Sequence, residues 1–265
     1  MTGAPAETVR PAVRAAVCCE TGRRRRSNED NFYLDGASKA LEEMSRPVLW
    51  QQECPLGTAL YGVSDGLGGV EGGELAATLA VTALGAVAHR LLARPEDRGL
   101  ASACLCEISR QARLQAGRLG NGMGATLVMA LIHPGGLELY NLGDSRGYLL
   151  QGGALCQLSR DHTTAQSFRD MGLPPPPPSH NGLTQYLGMD EEEGSPDPHH
   201  IHTSFPPGAR LLLCSDGLTG MVEDARIAQL LQRAPTPAQA VRDLTDAALA
   251  AGGRDNITAL VVERL

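Results

Sequence analysis

The sequence predicts an α+β fold: two mainly antiparallel sheets packed face to face, each covered on its outer side by helices in a four-layer α-β-β-α sandwich. Three observations lead there. Short apolar and β-branched runs bounded by turn residues lie both before and after a central pair of helical segments. Those segments are rich in Ala and Leu at helical spacing. Gly-rich turns such as Pro134–Gly135–Gly136 and Gly152–Gly153 join neighbouring strands, and two packed sheets with outer helices would bury every apolar stripe.

Taken in order, Val13 to Cys19 reads as the first strand, and a basic loop from Thr21 to Asn28 leads to a short second strand at Phe32–Leu34. Ala37 to Leu56 reads as polar and irregular and holds the only tryptophan, Trp50. Ala59 to Ser64 is a compact apolar run, the pattern of a buried strand. Glu74 to Ala93 and Leu100 to Leu119 are proline-free and predict two helices, with Gly120–Asn121–Gly122 as the C-cap of the second. Thr126–Ile132, Leu137–Leu142, Gly147–Gln151 and Ala154–Leu158 follow as a β-meander. Leu173 to Asp197 is a loop region with a proline run, Pro174 to Pro178, and an acidic run, Glu191 to Glu193. Arg210 to Cys214 is another buried strand, Asp224–Arg233 and Pro237–Ala251 are amphipathic helices, and Ile257 to Val262 is the last strand. No repeat or linker divides the chain, so residues 1–265 read as one domain.

The composition narrows the function classes. A chain of 265 residues can bury a substantial core, and 42% hydrophobic content fits a globular protein. With aromatics at only 3%, that core must be built from Ala, Leu and Val. A net charge of −7 argues against a general nucleic-acid binder, which needs clustered positive charge. No apolar run is expected to reach bilayer-spanning length, and Met1 to Glu20 lacks the plan of a signal peptide. Seven scattered cysteines without paired zinc spacing read as reduced thiols of a cytoplasmic protein.

Four aspartates sit at predicted strand ends beside glycines: Asp65 in YGVSDGLGG, Asp144 in YNLGDSRGY, Asp216 in LLLCSDGLTG and Asp255 in GGRDNIT. A fifth, Asp30, follows the basic run Arg23 to Arg26. Aspartate beside glycine is common in turns, and for any one of them that reading is the better one. Four in one chain, each at an apolar strand, suggest convergence. Converging carboxylates repel one another and need cations, and hard oxygen ligands favour Mg²⁺ or Mn²⁺ over zinc. Two such ions ~4 Å apart activate a shared water at neutral pH, the chemistry of phosphoester hydrolysis. A guanidinium from the Arg23–Arg26 loop could clamp the phosphate, while the rest of that run reads as solvated loop.

The ordered set of motifs carries a resemblance. RRSNEDNF (25–32), YGVSDGLGG (61–69), GMGATLV (122–128), YNLGDSRGYLL (140–150), LSRDHT (158–163), LTQYLG (183–188), LLLCSDGLTGMV (211–222) and GGRDNITALVV (252–262) span nearly the whole chain. In this the chain resembles the PPM-family, type-2C serine/threonine protein phosphatases of the compact bacterial kind. The resemblance implies that Asp65 bridges two Mn²⁺ or Mg²⁺ ions and that Gly66 offers its carbonyl to one. Asp216 and Asp255 complete the site, Asp30 acts on the cluster through bound water, and Asp144 holds a third, weaker ion. Arg25, five residues before Asp30, matches the phosphate-binding arginine. Ser145, Arg146, Asp161 and Asn256 are expected to hold strand ends and loops. The implied substrates are phosphorylated proteins, opposite a bacterial Ser/Thr kinase, with a monomeric enzyme and no membrane or nucleic-acid partner. Residues 163–198 correspond to the family's flap. Leu67 stands where many eukaryotic members carry a histidine, a candidate general acid.

Other features read as structural. His199, His200 and His202 could bind a transition metal, but no acidic partner is evident nearby, and a solvated strand edge is the expectation. The proline run reads as a stiff spacer, and Gly68–Gly69 with Gly72–Gly73 lack the lysine of a nucleotide-binding loop. The alternative function is a catalytically inactive domain of the same fold that binds a phosphoprotein; a complete set of metal-site aspartates speaks against it.

Overall fold

A computed structural model of the protein describes residues 12–55, 57–67, 72–119, 122–177, 180–190, 192 and 194–265. The expected glycine cap at residues 120–121, the Gly68–Gly69 pair, and parts of the proline and acidic runs lie outside them.

Strands form where alternating or continuous apolar runs can be buried on sheet faces. The first sheet contains β1 (Ala12–Glu20), β3 (Val48–Pro55), β8 (Arg146–Gln151), β9 (Ala154–Gln157), β11 (Arg210–Cys214) and β12 (Ile257–Arg264). Its order is β3-β1-β12-β11-β8-β9, antiparallel throughout. The second contains β2 (Asp30–Leu34), β4 (Ala59–Leu67), β6 (Leu127–His133), β7 (Gly136–Leu142) and β10 (His199–Thr203) in the order β10-β7-β6-β4-β2, with the two-residue β5 (Gly124–Ala125) attached to β4. Val17, Phe32, Tyr61, Leu139, Leu213 and Leu260 fill the layer between the sheets.

Two helices, α1 (Gly73–Ala93) and α2 (Arg98–Leu119), cover the second sheet. The buried positions of α1, Ala76, Ala77, Ala80, Val81, Leu84, Val87, Ala88 and Leu91, recur at the spacing of one helix face. Its many alanines let the helix lie close to the strands. The first sheet is covered by the short α4 (Asp216–Thr219), α5 (Asp224–Arg233) and α6 (Pro237–Ala250). Thr236 caps α6 by accepting from the Gln239 amide at 3.2 Å, with Pro237 opening the helix. The four-layer α-β-β-α order is therefore as the sequence predicts.

Four expectations are corrected. The segment from Ala37 to Leu56 is not irregular: after a 3-10 turn at Leu41–Glu43 it forms β3, an edge strand on β1, and Trp50 packs edge-on against Phe32 at 5.1 Å between ring centroids. An edge strand needs apolar residues on one face only, so its polar partners hide it from a pattern search. The β-meander is split. β6 and β7 belong to one sheet, β8 and β9 to the other, and the chain crosses between them at Gly143–Asp144. The histidine strand β10 is an edge strand, as expected, but it does have an acidic partner, because β7 places Glu138 opposite His202. Finally, α1 is long and apolar enough to span a bilayer by length and composition, although half of that stretch is buried on the sheet, as in a core helix. The 163–198 segment also carries a helix of its own, α3 (Thr164–Asp170), capped by Thr163.

Leu139 is fully buried between the sheets. Leu139→Ala is expected to lower the unfolding free energy by about 2–5 kcal/mol in denaturant titrations. A loss well below that range would mean the two sheets are not held by this layer.

Candidate metal centre

Strand ends deliver all five predicted aspartates to one place. Asp30 opens β2 and is the register partner of Asp65, near the end of β4. Asp144 lies in the crossover after β7, Asp216 is the first residue of α4 directly after β11, and Asp255 precedes β12. Asp65 is close enough to feel the charge of each of the other four. The crossover needs glycine: Gly143 has φ +97°, and a Cβ there would lie 2.6 Å from Thr126 Cγ2. That turn directs Asp144 toward the site. Gly66 is constrained by packing, since a Cβ would lie 1.9 Å from the carbonyl oxygen of Gly73 and would push the start of α1 away. Its amide donates to Glu29 O at 3.0 Å.

Asp30 lies deepest. It is fully buried, and its Oδ2 accepts from Ser215 Oγ at 2.6 Å and Thr258 Oγ1 at 2.7 Å, while Oδ1 has no hydrogen-bond partner. Burial, reinforced by Asp216 and Asp255, pushes its carboxyl up to about 7 against the pull of the two hydroxyls. The other four aspartates are partly exposed. Burial and the surrounding carboxylates raise Asp65 well above the usual range. Burial, with Asp216 and Asp161 nearby, pushes Asp144 up to about 7. Asp216 is raised by burial and by Asp255, partly offset by a hydrogen bond with Asp65. A cleft of about 220 Å³ opens beside Asp144 and Asp216. A larger one, about 360 Å³, between Arg14, Gln52 and Pro237 touches none of these carboxylates.

Of the four loop arginines, Arg25 reaches the cluster: its Nη2 donates to Asp255 Oδ2 at 2.7 Å. That hydrogen bond, with the charge of Asp255, raises its pKa further. Arg23 meets Gly253 through its backbone amide at 2.8 Å, and Arg24 and Arg26 are exposed. The expected supports lie nearby. Arg146 Nη2 pairs with Asp161 Oδ2 at 2.6 Å, Ser145 Oγ is 2.7 Å from Thr126 Oγ1, and Asn256 Nδ2 donates to the carbonyls of Thr21 and Ser27, both at 2.9 Å.

Sequence reasoning missed the residues behind Asp30. Ser215 and Thr258 hold its carboxylate. Behind them Cys19 Sγ meets Asn28 Nδ2 and Thr258 Oγ1, both at 3.2 Å, and the chain's one lysine, Lys39, is buried with its ammonium on the Met44 and Arg46 carbonyls. The available signal was a lone Thr in the apolar run Ile257 to Val262 and a lone Lys in an arginine-rich chain.

The donor set is all oxygen, with five crowded carboxyls and one buried carboxylate oxygen left unpartnered. It fits hard divalent cations of the Mg²⁺ or Mn²⁺ class.

A family profile described as Protein phosphatase 2C matches residues 52–252. The serine/threonine protein phosphatase PstP of Mycobacterium tuberculosis is 35% identical over 218 residues, covering 78% of this chain and 40% of that protein. The chain thus spans less than half the length of that relative. The serine/threonine phosphatase stp of Listeria innocua is 34% identical over 212 residues, 76% of this chain and 83% of its own length. The PstP catalytic domain in complex with two manganese ions superposes with a TM-score of 0.75 at 28% identity, covering 96% of this chain and 99% of that one.

The raised carboxyls set a pH dependence. A carboxyl whose folded pKa is raised adds stability below its unfolded pKa, and that contribution is lost as pH rises through about 7. Cations must displace those protons at low pH and relieve the repulsion at high pH. The gain in Tm on adding Mn²⁺ is therefore expected to be larger at about pH 7.5 than at about pH 5.5 in thermal melts. Asp30→Asn should raise the Tm of chelator-treated protein at the higher pH and shrink the Mn²⁺ gain. A gain that does not change with pH would show that these carboxyls do not hold the ions.

Proposed function

Because the chain belongs to the protein phosphatase 2C family, we propose that it hydrolyses phosphoserine and phosphothreonine esters of phosphorylated proteins at a binuclear Mn²⁺ or Mg²⁺ centre. One observation carries this reading: five oxygen-donor carboxylates converge, and the guanidinium of Arg25 pairs with one of them, Asp255. In this reading Asp65, the Gly66 carbonyl, Asp216 and Asp255 would hold the two ions, with Asp65 the ligand common to both. Asp30 supports the cluster from behind, and Asp144 holds a third, weaker ion. When bound, the cations neutralise the carboxylates and supply an activated water at neutral pH.

The chain's own groups do the rest. Arg25 is tied to Asp255. With Asp255 engaged as a metal ligand, the guanidinium would be available to grip two phosphate oxygens and orient the ester for in-line attack. Leu67 cannot donate a proton to the leaving alkoxide. His162, near Asp144, cannot either, since burial lowers its imidazole to about 4 and keeps it neutral. That leaves water, or another group in the cleft, to protonate the leaving group. Residues 1–265 act as one catalytic domain, with 163–198 as a flap that borders the Asp144–Asp216 cleft through Thr163, Ala165, Arg169 and Asn181. The physiological setting that fits is a monomeric cytoplasmic phosphatase opposing a Ser/Thr kinase. The complete aspartate set favours this over an inactive phosphoprotein-binding regulator.

Hydrolysis of an aryl phosphate should appear with Mn²⁺ or Mg²⁺, vanish in excess chelator, and be abolished by Asp65→Asn. Asp144→Ala should give a milder loss. Full activity in chelator would overturn the metal mechanism.

Arg25→Ala is expected to raise KM for a phosphopeptide strongly with a smaller fall in kcat, since the contact already exists in the ground state. Loss of one charge-assisted contact is worth about 1.5–3 kcal/mol, so kcat/KM should fall roughly ten- to a hundredfold. Arg23→Ala and Arg24→Ala should change it far less. Equal losses in all three would mean that the loop acts as a diffuse basic patch.

A further inference from the structure

A second cluster of ligating side chains lies toward the opposite end of β7, about 13 Å along the strand from Leu142, beyond which the crossover carries Asp144. Glu138 is buried on β7, with His202 opposite it on β10 and His200 two residues away on the same face. His133, at the end of β6, completes the group. Glu138 Oε1 lies 2.6 Å from His202 Nδ1 and 3.5 Å from His133 Nε2, and its Oε2 lies 2.6 Å from His200 Nε2. The ligand atoms of His133, Glu138 and His202 fall within 4.8 Å of one another.

Two features separate this cluster from a simple strand clasp. His133 is 2% exposed, and its Nε2, aimed at Glu138, has no hydrogen-bond partner. A buried polar nitrogen left so is costly unless something else satisfies it. The cluster is also reachable: the His202 side chain is half exposed, and a cleft of about 570 Å³ between the α1–α2 turn and the β6–β7 turn reaches His133.

We propose that His133, Glu138 and His202 bind one late first-row divalent cation of the zinc class, at a site separate from the carboxylate centre. Two imidazoles and a carboxylate are the ligand types that select zinc over Mg²⁺ or Mn²⁺. Tetrahedral coordination at about 2.0–2.1 Å spaces ligand atoms about 3.3 Å apart. The His133–Glu138 separation already matches that, and the short His202–Glu138 contact opens when the cation replaces the proton between them. Binding through His133 Nε2 places its proton on Nδ1, where Glu96 Oε1 at 3.5 Å accepts it and the Gly135 amide, now 3.2 Å away, turns aside. His200, stacked on Tyr140 at 4.5 Å, holds the second carboxylate oxygen. The ion would tie β10, the strand that follows the 163–198 segment, to the β6–β7 hairpin.

The test is zinc stoichiometry, measured by elemental analysis and calorimetry on the full chain in excess Mg²⁺ so that the carboxylate centre is already occupied. Wild type should bind one Zn²⁺ per chain. His202→Asn keeps a hydrogen-bonding group toward Glu138, so the edge strand stays anchored, yet it should weaken Zn²⁺ binding by at least about tenfold, as should Glu138→Gln. Asp65→Asn should retain the ion, which separates this outcome from any failure of the phosphatase reading. Zn²⁺ binding equal in wild type and His202→Asn, or lost in Asp65→Asn, would overturn the proposal.

Discussion

Like-charge crowding governs the centre of this molecule. Five carboxyls meet where the ends of the two sheets come together, and the deepest of them, Asp30, is fully buried with one oxygen unpartnered. Isolated buried carboxylates are strongly disfavoured, so the group must hold protons or cations. The raised carboxyls of Asp30 and Asp144 are the proton-held answer. The two hydroxyls on Asp30 belong to elements of the other sheet: Ser215 follows β11 and Thr258 lies in β12. The bond that steadies this carboxylate therefore also joins the sheets.

The surrounding architecture serves that junction. The chain leaves the second sheet through the left-handed turn at Gly143, presents Asp144, and enters the first as β8. Arg146 is fixed on Asp161 beside it. The α1 start closes over the end of β4 because Gly66 has no side chain. Asn256 pins the basic loop by its carbonyls, which sets Arg25 against Asp255 while Arg24 and Arg26 face solvent.

The histidine cluster follows a different logic at the far end of the same strand. There one buried carboxylate, Glu138, is satisfied by imidazoles rather than by other acids and hydroxyls. Nitrogen donors at one end of β7 and oxygen donors at the other would sort soft from hard cations within one sheet.

The sequence by itself determined much of this. The spacing of apolar residues marks most strands and all the long helices, because a periodic face must be buried whatever it packs against. Asp65, Asp144 and Asp216 were visible because each ends an apolar run beside a glycine, and Asp255 because it opens one shortly after a glycine pair. Arg25 stood out only by its distance from Asp30, as the family motif has it. What only the tertiary structure decided is which strands are neighbours. Splitting the expected meander at Gly143, adding β3 at an edge, and setting Glu138 opposite His202 are matters of pairing between distant segments. The supports of Asp30, 185 and 228 residues away along the chain, belong with these. Local patterns record what a residue needs to bury, whereas the partner that buries it is chosen by packing across the whole chain.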